Sequence, residues 1–281
     1  MPTFDTPEPI SAVVDLVVGD VRITASDRDD TSVEIRPSDE AHEPDLRAAE
    51  QTRVEYSAGQ LLVKAPRQRS LSLFGKPGSI DVTIGLPAGS QVHGDASVGA
   101  FRCAGRLGVC RVKTSAGDIQ LEHTGPLEAN TGAGAVVVDR VAGPAEVSTG
   151  SGRVRLGQID GLAVIKNSNG DSWIGEAEGD LRVNAANGNI SVDHANADVN
   201  ARSANGDIRV GGVTRGTASL KTSIGEIEVG IQAGTAARLD IHTQFGRIHN
   251  HLDSSDAPGP SDQTVEVSAR TSYGDIVIRR S

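Results

Sequence analysis

A glycine recurs through most of this chain at a spacing close to 18 residues, each time inside the same short pattern of apolar and polar residues. The positions are Gly99, Gly117, Gly134, Gly152, Gly170, Gly188, Gly206, Gly225, Gly246 and Gly274. A fixed period near twenty residues is typical of stacked repeat architectures, because each unit is too small to bury its own apolar face and must pack against its neighbours. The repeat therefore constrains shape far more than chemistry.

Each unit is predicted to hold two short strands. With the glycine numbered as slot 8 of its unit, apolar residues recur at slots 1, 3, 10 and 12, as in Leu181, Val183, Ile190 and Val192. Polar residues stand between them, and this alternation is typical of a strand with one buried face. A turn of small residues joins the strands, and its glycine can adopt the positive φ that other residues resist.

The predicted fold is all-β: a parallel β-solenoid of about 18-residue coils forming one continuous domain. Residues 92–281 hold ten short units, and residues 1–91 hold longer units and a cap. The longer units centre on Gly19 and Gly59. A meander of hairpins is the alternative, because slots 3 and 10 would also pair directly across a four-residue loop.

Three insertions interrupt the repeat. The stretch 38–50 is polar and predicts one or two helical turns, and the basic stretch 66–79 is expected to cover the amino-terminal end of the stack. Such a cover would protect unpaired backbone from end-to-end association. Residues 253–263, rich in Pro, Gly and Ser, are interpreted as a surface loop.

Slots 4 and 9 vary together. Each unit with a base at slot 4 has an acid at slot 9, as in Lys166 with Asp171 and Arg202 with Asp207. We therefore expect exposed ion pairs across the turn, each contributing roughly 0.2–1 kcal/mol, rather than a ladder of metal-binding acids. Slot 5 carries small, often hydroxylated residues, which suit a tight corner with hydrogen bonds from coil to coil.

Composition limits the partners. The chain of 281 residues is 37% hydrophobic and carries a net charge of -10, which argues against nucleic acid or an anionic membrane as the main partner. Direct membrane insertion is not expected either. No signal peptide and no apolar run of about 18 residues is evident, so a cytoplasmic location is expected. Cys103 and Cys110 occupy apolar slots and are expected to be buried free thiols. We expect no cofactor.

The serial units SAGDIQL, SANGDIRV and SYGDIVI, together with the first 39 residues, resemble the family of domain of unknown function 4097. This family belongs to the Toastrack group, its members carry the name "putative adhesin", and the likeness is to soluble actinobacterial members. The resemblance implies a single-stranded, right-handed parallel β-helix. It also implies links to cell-envelope stress systems and surface adhesion, and it transfers no catalytic residues.

The candidate sites are few. His242, His249 and His251 lack a further ligand, so no metal site is expected, and no catalytic constellation stands out. Trp173 occupies an outward slot, with Val137 and Val164 also outward, and these three form the predicted interaction patch. The sequence predicts a non-enzymatic scaffold for a protein partner or for self-assembly. An adhesin-like carbohydrate or envelope binder and a carbohydrate-active β-helix enzyme are the alternatives.

Overall fold

The structure, a computed structural model, describes residues 2–66, 78–252 and 263–281. The chain divides into two compact units, Met1–Val138 and Asp139–Ser281, and the boundary falls inside the strand Val136–Val141. The predicted division at residue 91 stays a prediction. Most of the predicted cover at 66–79 and of the predicted surface loop at 253–263 lies outside the described residues, which omit 67–77 and 253–262.

The first unit consists of strands and one helix. Its elements are β1 (Thr3–Asp5), β2 (Ser11–Val18), β3 (Val21–Ser26), β4 (Asp30–Pro37), α1 (Glu43–Gln51), β5 (Arg53–Ser57), β6 (Gln60–Lys64), β7 (Ile80–Pro87), β8 (Gln91–Val98), β9 (Phe101–Arg106), β10 (Cys110–Ala116), β11 (Ile119–Thr124), β12 (Leu127–Ala133) and the start of β13 (Val136–Val141). Helix α1 overlaps the stretch 38–50 predicted to hold helical turns and ends one residue beyond it, so the prediction of a helix there is confirmed.

The second unit continues with strands alone among its described residues. They are β14 (Ala145–Ser151), β15 (Val154–Ile159), β16 (Ala163–Asn169), β17 (Ser172–Ala177), β18 (Leu181–Asn187), β19 (Ile190–Ala195), β20 (Val199–Asn205), β21 (Ile208–Val213), β22 (Gly216–Ile224), β23 (Ile227–Ile231), β24 (Thr235–Phe245), β25 (Ile248–Asn250), β26 (Gln263–Tyr273) and β27 (Ile276–Arg280).

The coils stack in parallel, which confirms the solenoid over the hairpin meander. Ala163 pairs with Leu181, and Leu181 with Val199, so each strand lies beside the equivalent strand of the next repeat. In the second unit one sheet runs β14-β16-β18-β20-β22-β26-β24 and the other runs β15-β17-β19-β21-β23-β27-β25. Residues at slots 1, 3, 10 and 12 fill the narrow interior between the two sheets.

The order of the coils departs from the order of the chain. In the second unit the last coil, β26 and β27, lies between β22/β23 and β24/β25. In the first unit β6 and β7 lie on one side of β2 and β3, and β8 and β9 lie on the other. A parallel β ladder makes the same hydrogen bonds whichever coil fills it, so the period alone leaves the order open.

The prediction that Gly59 marks a further unit of the repeat is wrong. Strand β5 pairs with β6 in antiparallel register, and Gly59 closes their tight turn with a φ of 76°. The residue before it, Ala58, also has a positive φ of 49°. Two successive residues of positive φ are typical of a two-residue hairpin turn, which explains why this glycine resembles the others in sequence only.

The repeat glycines form a ladder along the corner of the stack. Gly206 has a φ of 149°, and a Cβ atom placed there would lie 2.1 Å from the carbonyl oxygen of Gly188. Gly188 meets Gly170 in the same way, also at 2.1 Å. Glycine is therefore required twice over, by its backbone conformation and by the close approach of the neighbouring coil.

Slot 5 supplies the hydrogen bonds expected at this corner. Its hydroxyl donates to the ladder glycine of the adjacent coil, as from Thr222 to Gly206 at 2.9 Å. Asn167 takes this place in one coil and donates Nδ2 to the carbonyls of both Gly152 and Gly170, at 3.1 and 2.8 Å. The next coil has Ala185 at slot 5, which cannot donate, so Asn167 supplies the bond that Ala185 lacks.

The predicted ion pairs between slots 4 and 9 are wrong. Among the described residues none of the five pairs forms, and Lys166 instead contacts Glu146 of the preceding coil at 3.2 Å. The five are Lys113 with Asp118, Lys166 with Asp171, Arg202 with Asp207, Lys221 with Glu226, and Arg270 with Asp275. Slot 9 bonds to the backbone: Asp171 accepts from the Asn189 amide at 2.8 Å, and Asn189 accepts from the Asp207 amide at 2.9 Å. A neutral Asn makes the same bond as Asp, so the requirement is for a short acceptor rather than a charge.

The same bond occurs wherever slot 9 is Asp or Asn in the described residues. The acceptors are Asp20, Asp118, Asp171, Asn189, Asp207 and Asp275. Burial acts to raise the pKa of Asp20, but the Ala100 amide and Arg102 hold it below the usual value. The slot 9 side chains therefore link each coil to the next, and one oxygen of each is already engaged in a hydrogen bond.

Candidate interaction surface

Trp173 lies on the outer face of β17, as predicted, and is half-buried. Its neighbour in the adjacent strand, Arg155, places its guanidinium 4.2 Å from the centre of the indole ring. The ring also extends over Gly175 of its own strand, whose lack of a side chain leaves the space. Part of the indole surface is thus covered by a cation–π contact within the unit.

The valines of the predicted patch lie on other strands. Val164 is half-buried on β16, which belongs to the opposite sheet from β17. The structure therefore places Val164 and Trp173 on the outer faces of two different sheets. Val137 lies on β13 in the first unit and is half-buried there. The interaction patch as a whole stays a prediction.

A shallow cleft of about 260 Å³ lies on the outer face beyond Trp173. Its lining includes Asn189, Ser191, Asp207, Arg209, Glu226 and Glu228. The small Ser191 side chain lies between the larger Trp173 and Arg209 in the neighbouring strands, which leaves the depression. Glu228 contacts two arginines, Arg279 at 2.6 Å and Arg209 at 3.5 Å, so its charge is already compensated.

A cluster of exposed apolar side chains lies at slot 7, next to the glycine corner. Ile224, Tyr273 and Phe245 occupy this slot in three adjacent coils, and they are 54%, 55% and 56% exposed. The rings of Phe245 and Tyr273 stack, with centres 4.9 Å apart and planes 10° from parallel. We call these three residues the apolar ladder.

The preceding coils carry polar residues in the same slot. Asn169, Asn187 and Asn205 are all exposed there, and Asn187 donates its amide to Asn169 at 3.0 Å. The sequence held this signal, since slot 7 changes from asparagine to large apolar residues in the last three units. The predicted patch centred on Trp173 and did not include slot 7.

Comparison with known proteins places the chain in a family. Residues 13–280 match the sequence profile of the Toastrack DUF4097 family. The chain belongs to the Toastrack DUF4097 family. No curated protein matches it.

Several solved structures are similar to this Toastrack chain. A "putative lipid binding protein" from Parabacteroides distasonis ATCC 8503 is 12% identical, with a TM-score of 0.44, over 98% of this chain and 95% of that one. A "putative adhesin" from Bacteroides fragilis NCTC 9343 is 14% identical, with a TM-score of 0.32, over 99% and 95%. A "putative cell adhesion protein" from Clostridium sporogenes ATCC 15579 is 10% identical, with a TM-score of 0.24, over 100% and 98%.

Of the three histidines near the carboxyl end of the Toastrack chain, His242 lies apart from His249 and His251. His249 and His251 stack with ring centres 6.4 Å apart, and His249 lies 3.9 Å from Asp275. His242 lies on β24, in the opposite sheet from His249 on β25. Across the described ranges, no group of three His, Cys, Asp or Glu side chains is placed to share a metal ion. In those same ranges, no helix has the length and apolar character to cross a bilayer.

Both cysteines of the Toastrack chain are buried free thiols, as predicted. Burial raises the pKa of Cys110 to about 11, although a hydrogen bond with Thr124 acts against this rise. Burial, with a smaller contribution from Cys110, also raises the pKa of Cys103. Neither thiol forms the thiolate that nucleophilic or redox chemistry would need at neutral pH.

Proposed function

We propose that this Toastrack chain is a non-enzymatic interaction scaffold, and that the apolar ladder is its binding surface for a protein partner. The observation that carries the proposal is the exposure of Ile224, Tyr273 and Phe245 in adjacent coils. Clustered apolar and aromatic side chains on a surface mark interaction sites more often than scattered ones do. A cytoplasmic location is a further part of the proposal, and cell fractionation tests it. A link to cell-envelope stress is also part of the proposal.

The fold itself does not require these side chains. Slot 7 points outward, and asparagine fills it in the three coils β16, β18 and β20 without disturbing the parallel register. The side chains of the apolar ladder expose apolar area that the core does not need. A complex in which a partner covers them is stabilised, because that area is removed from water. The rigid stacking of Phe245 on Tyr273 also lowers the entropy that binding would cost.

The direct test replaces the ladder with the residue that the repeat already uses. In the variant Ile224→Asn/Tyr273→Asn the Asn column would continue, so we expect the fold to persist by circular dichroism. Proteins captured by the wild-type chain from native cells would be identified, produced and titrated against both chains. We expect the variant to bind the partner at least about tenfold more weakly.

Val98→Asn is the matched control, since Val98 is an exposed apolar residue at slot 7 of the first unit. This variant loses a similar side chain but leaves the apolar ladder intact. Partner affinity that is equal in the wild type and the Ile224→Asn/Tyr273→Asn variant, or that falls equally in the Val98→Asn control, would rule out the apolar ladder as the binding surface.

A carbohydrate or envelope binder of the adhesin type is the second candidate. The exposed rings of Phe245 and Tyr273 favour it, because flat aromatic faces also pack against the apolar faces of sugars. Screening the wild-type chain on a glycan array distinguishes the two candidates. Binding to a defined glycan that is lost in the Ile224→Asn/Tyr273→Asn variant would favour the sugar, whereas a protein partner in the absence of glycan binding would favour the scaffold.

A further inference from the structure

The coil formed by β24 and β25 is the last in both sheets of the second unit. Among the described residues, β24 pairs only with β26, and β25 pairs only with β27. Strand β24 extends over eleven residues and contains no proline. Its outer edge therefore presents a long row of backbone N–H and C=O groups that can pair with a further strand.

The interior of this coil is incompletely covered. Leu239 and Ile241 point toward the interior but are only half-buried, whereas the equivalent Val267 and Ala269 of the adjacent coil are 0% exposed. Ile248, on the other sheet, is 47% exposed, while its neighbour Ile276 is fully buried. One more coil against this end would bury these side chains.

The charged side chains along this edge are complementary to those of a second copy of β24 that runs in the opposite direction. Arg238 and Asp240 flank Leu239 and both are exposed, and Asp240 also contacts Arg270 of the adjacent strand at 2.8 Å through one of its two oxygens. If two copies of β24 pair antiparallel with Leu239 opposite Leu239, then Arg238 of each copy faces Asp240 of the other. Moving the twofold axis one residue along the strand would instead place Asp240 opposite Asp240, and like charges directly opposite are destabilising.

The same register also fits the ends of the strand. Thr243 falls opposite Thr235, the first residue of the strand. Phe245 lies beyond this pair, toward the turn at Gly234, where a Cβ atom would meet no other atom within 4 Å. Interior residues stay in register as well, because Ala237 faces Ile241, so the apolar face of each edge continues into the other.

We propose that two copies of this chain associate through β24 in this antiparallel register, about a twofold axis at Leu239. This inference goes beyond the function proposed above and names a second copy of the chain as the partner at this edge. An isologous contact of this kind closes on itself and yields a dimer rather than a fibre. The sheet that holds β24 continues from one copy into the other, and the half-buried Leu239 and Ile241 of each copy become covered.

Sedimentation of the full chain over a dilution series tests the proposal. We expect a reversible dimer in the wild type that weakens as salt is added, because four of the paired side chains are charged. Arg238→Glu places a second carboxylate opposite Asp240 and should raise the dissociation constant at least about tenfold. A wild-type chain that stays monomeric at every concentration overturns the proposal.

Arg182→Glu is the matched control. Arg182 is exposed on the outer face of β18, an inner strand of the same sheet, and its replacement changes the net charge equally. We expect this variant to dimerise like the wild type. Equal weakening in both variants would mean that net charge, rather than the β24 edge, controls association, and would contradict the proposal.

Disulfide cross-linking reads the register. Leu239→Cys should form a covalent dimer on mild oxidation, since directly opposed residues have Cβ atoms roughly 4.5–5.5 Å apart. Gln244→Cys should not, because the two copies of residue 244 would lie roughly 33 Å apart along the strands. Cross-linking at residue 244 alone, or at neither position, would refute this register.

These measurements separate the dimer from the proposed function. The Ile224→Asn/Tyr273→Asn variant leaves β24 unchanged, so it should lose the partner and keep the dimer. Arg238→Glu should lose the dimer and keep the partner. A chain that dimerises but captures no partner supports this inference and not the scaffold surface, and the reverse result supports the scaffold surface alone.

Discussion

The coil β6/β7 of the first unit and the coil β24/β25 of the second are both terminal coils, and they are finished differently. Antiparallel strands β5 and β4 pair with β6 and β7, and helix α1 packs against β4 and β7. The described residues place no strand beyond β24 and β25. The interior residue Ile84 of β7 is 0% exposed, whereas Ile241 of β24 is half-buried.

This difference shows how the terminal coil of a solenoid can either block or permit pairing with a further strand. A parallel coil offers the same edge to its neighbour in the stack and to any other strand, so a change of strand direction is an effective stop. The first unit makes that change twice and adds a helix. The second unit leaves its edge in the parallel form, with alternating charges and half-covered apolar residues, and so keeps an edge to which a strand can bind.

The largest expected effect comes from adding a side chain beside each terminal coil. A Cβ atom at Gly19 would lie 1.8 Å from the Ile80 carbonyl of β7, and one at Gly246 would lie 2.0 Å from that of Gly274. Strand β7 is held on both sides, and Gly19 also has a φ of 146°, so Gly19→Ala should cost about 4 kcal/mol.

Gly246→Ala should cost only about 1–2 kcal/mol, because its coil is free to move outward. Urea unfolding of both variants, followed by circular dichroism, measures the difference. Equal losses would mean that the terminal coil of the second unit is as tightly held as that of the first, and the contrast between the two would fail.

A matched pair of isoleucines sharpens the same contrast. Ile84→Ala removes a fully buried side chain from β7 and should lower the free energy of unfolding by about 3 kcal/mol. Ile241→Ala removes a half-buried side chain from β24 and should cost about 1 kcal/mol. The comparison is best made at low protein concentration, where the proposed dimer dissociates. A larger loss for Ile241→Ala would show that this interior is closed in the monomer.

The next expected effect concerns the helix that covers β7. Asp45 of α1 is buried and accepts hydrogen bonds from the Ser79 amide at 3.0 Å and from His42 Nδ1 at 2.7 Å. The Ser79 amide and His42 outweigh the effect of burial and hold the pKa of Asp45 below its ordinary value of 3.8. Asp45→Asn should therefore destabilise the first unit by about 2 kcal/mol at neutral pH.

The pH dependence of this stability has a definite sign. A carboxyl group whose pKa is lowered by folding stabilises the protein above its unfolded pKa and loses that contribution as the pH falls through the folded value. The thermal unfolding temperature of the wild type should fall below about pH 4, and that of the Asp45→Asn variant should fall less over the same range. Parallel curves for the two proteins would assign the acid sensitivity to other carboxyl groups.

The repeat in the sequence predicts the strands and the solenoid because slots 1, 3, 10 and 12 must face a shared interior. It predicts the slot 5 hydrogen bonds because Thr222 and its equivalents are short and hydroxylated. It predicts the wrong partner for the slot 9 acids. Asp171 accepts from a backbone amide, and since every residue except proline carries that group, the sequence does not mark it. It also leaves the order of the coils open, because β22 can pair equally with β24 or β26.

The smallest expected effect tests whether the terminal coils differ in anything besides their edges. Gly59 precedes β6 and Gly234 precedes β24, with φ values of 76° and 83°, and a Cβ atom at either would meet nothing within 4 Å. Alanine at either position meets only the cost of a left-handed backbone, about 1 kcal/mol. Gly59→Ala and Gly234→Ala should therefore destabilise the protein equally in urea unfolding. Unequal losses would mean that the turns leading into the two coils contribute to the contrast that strand direction explains here.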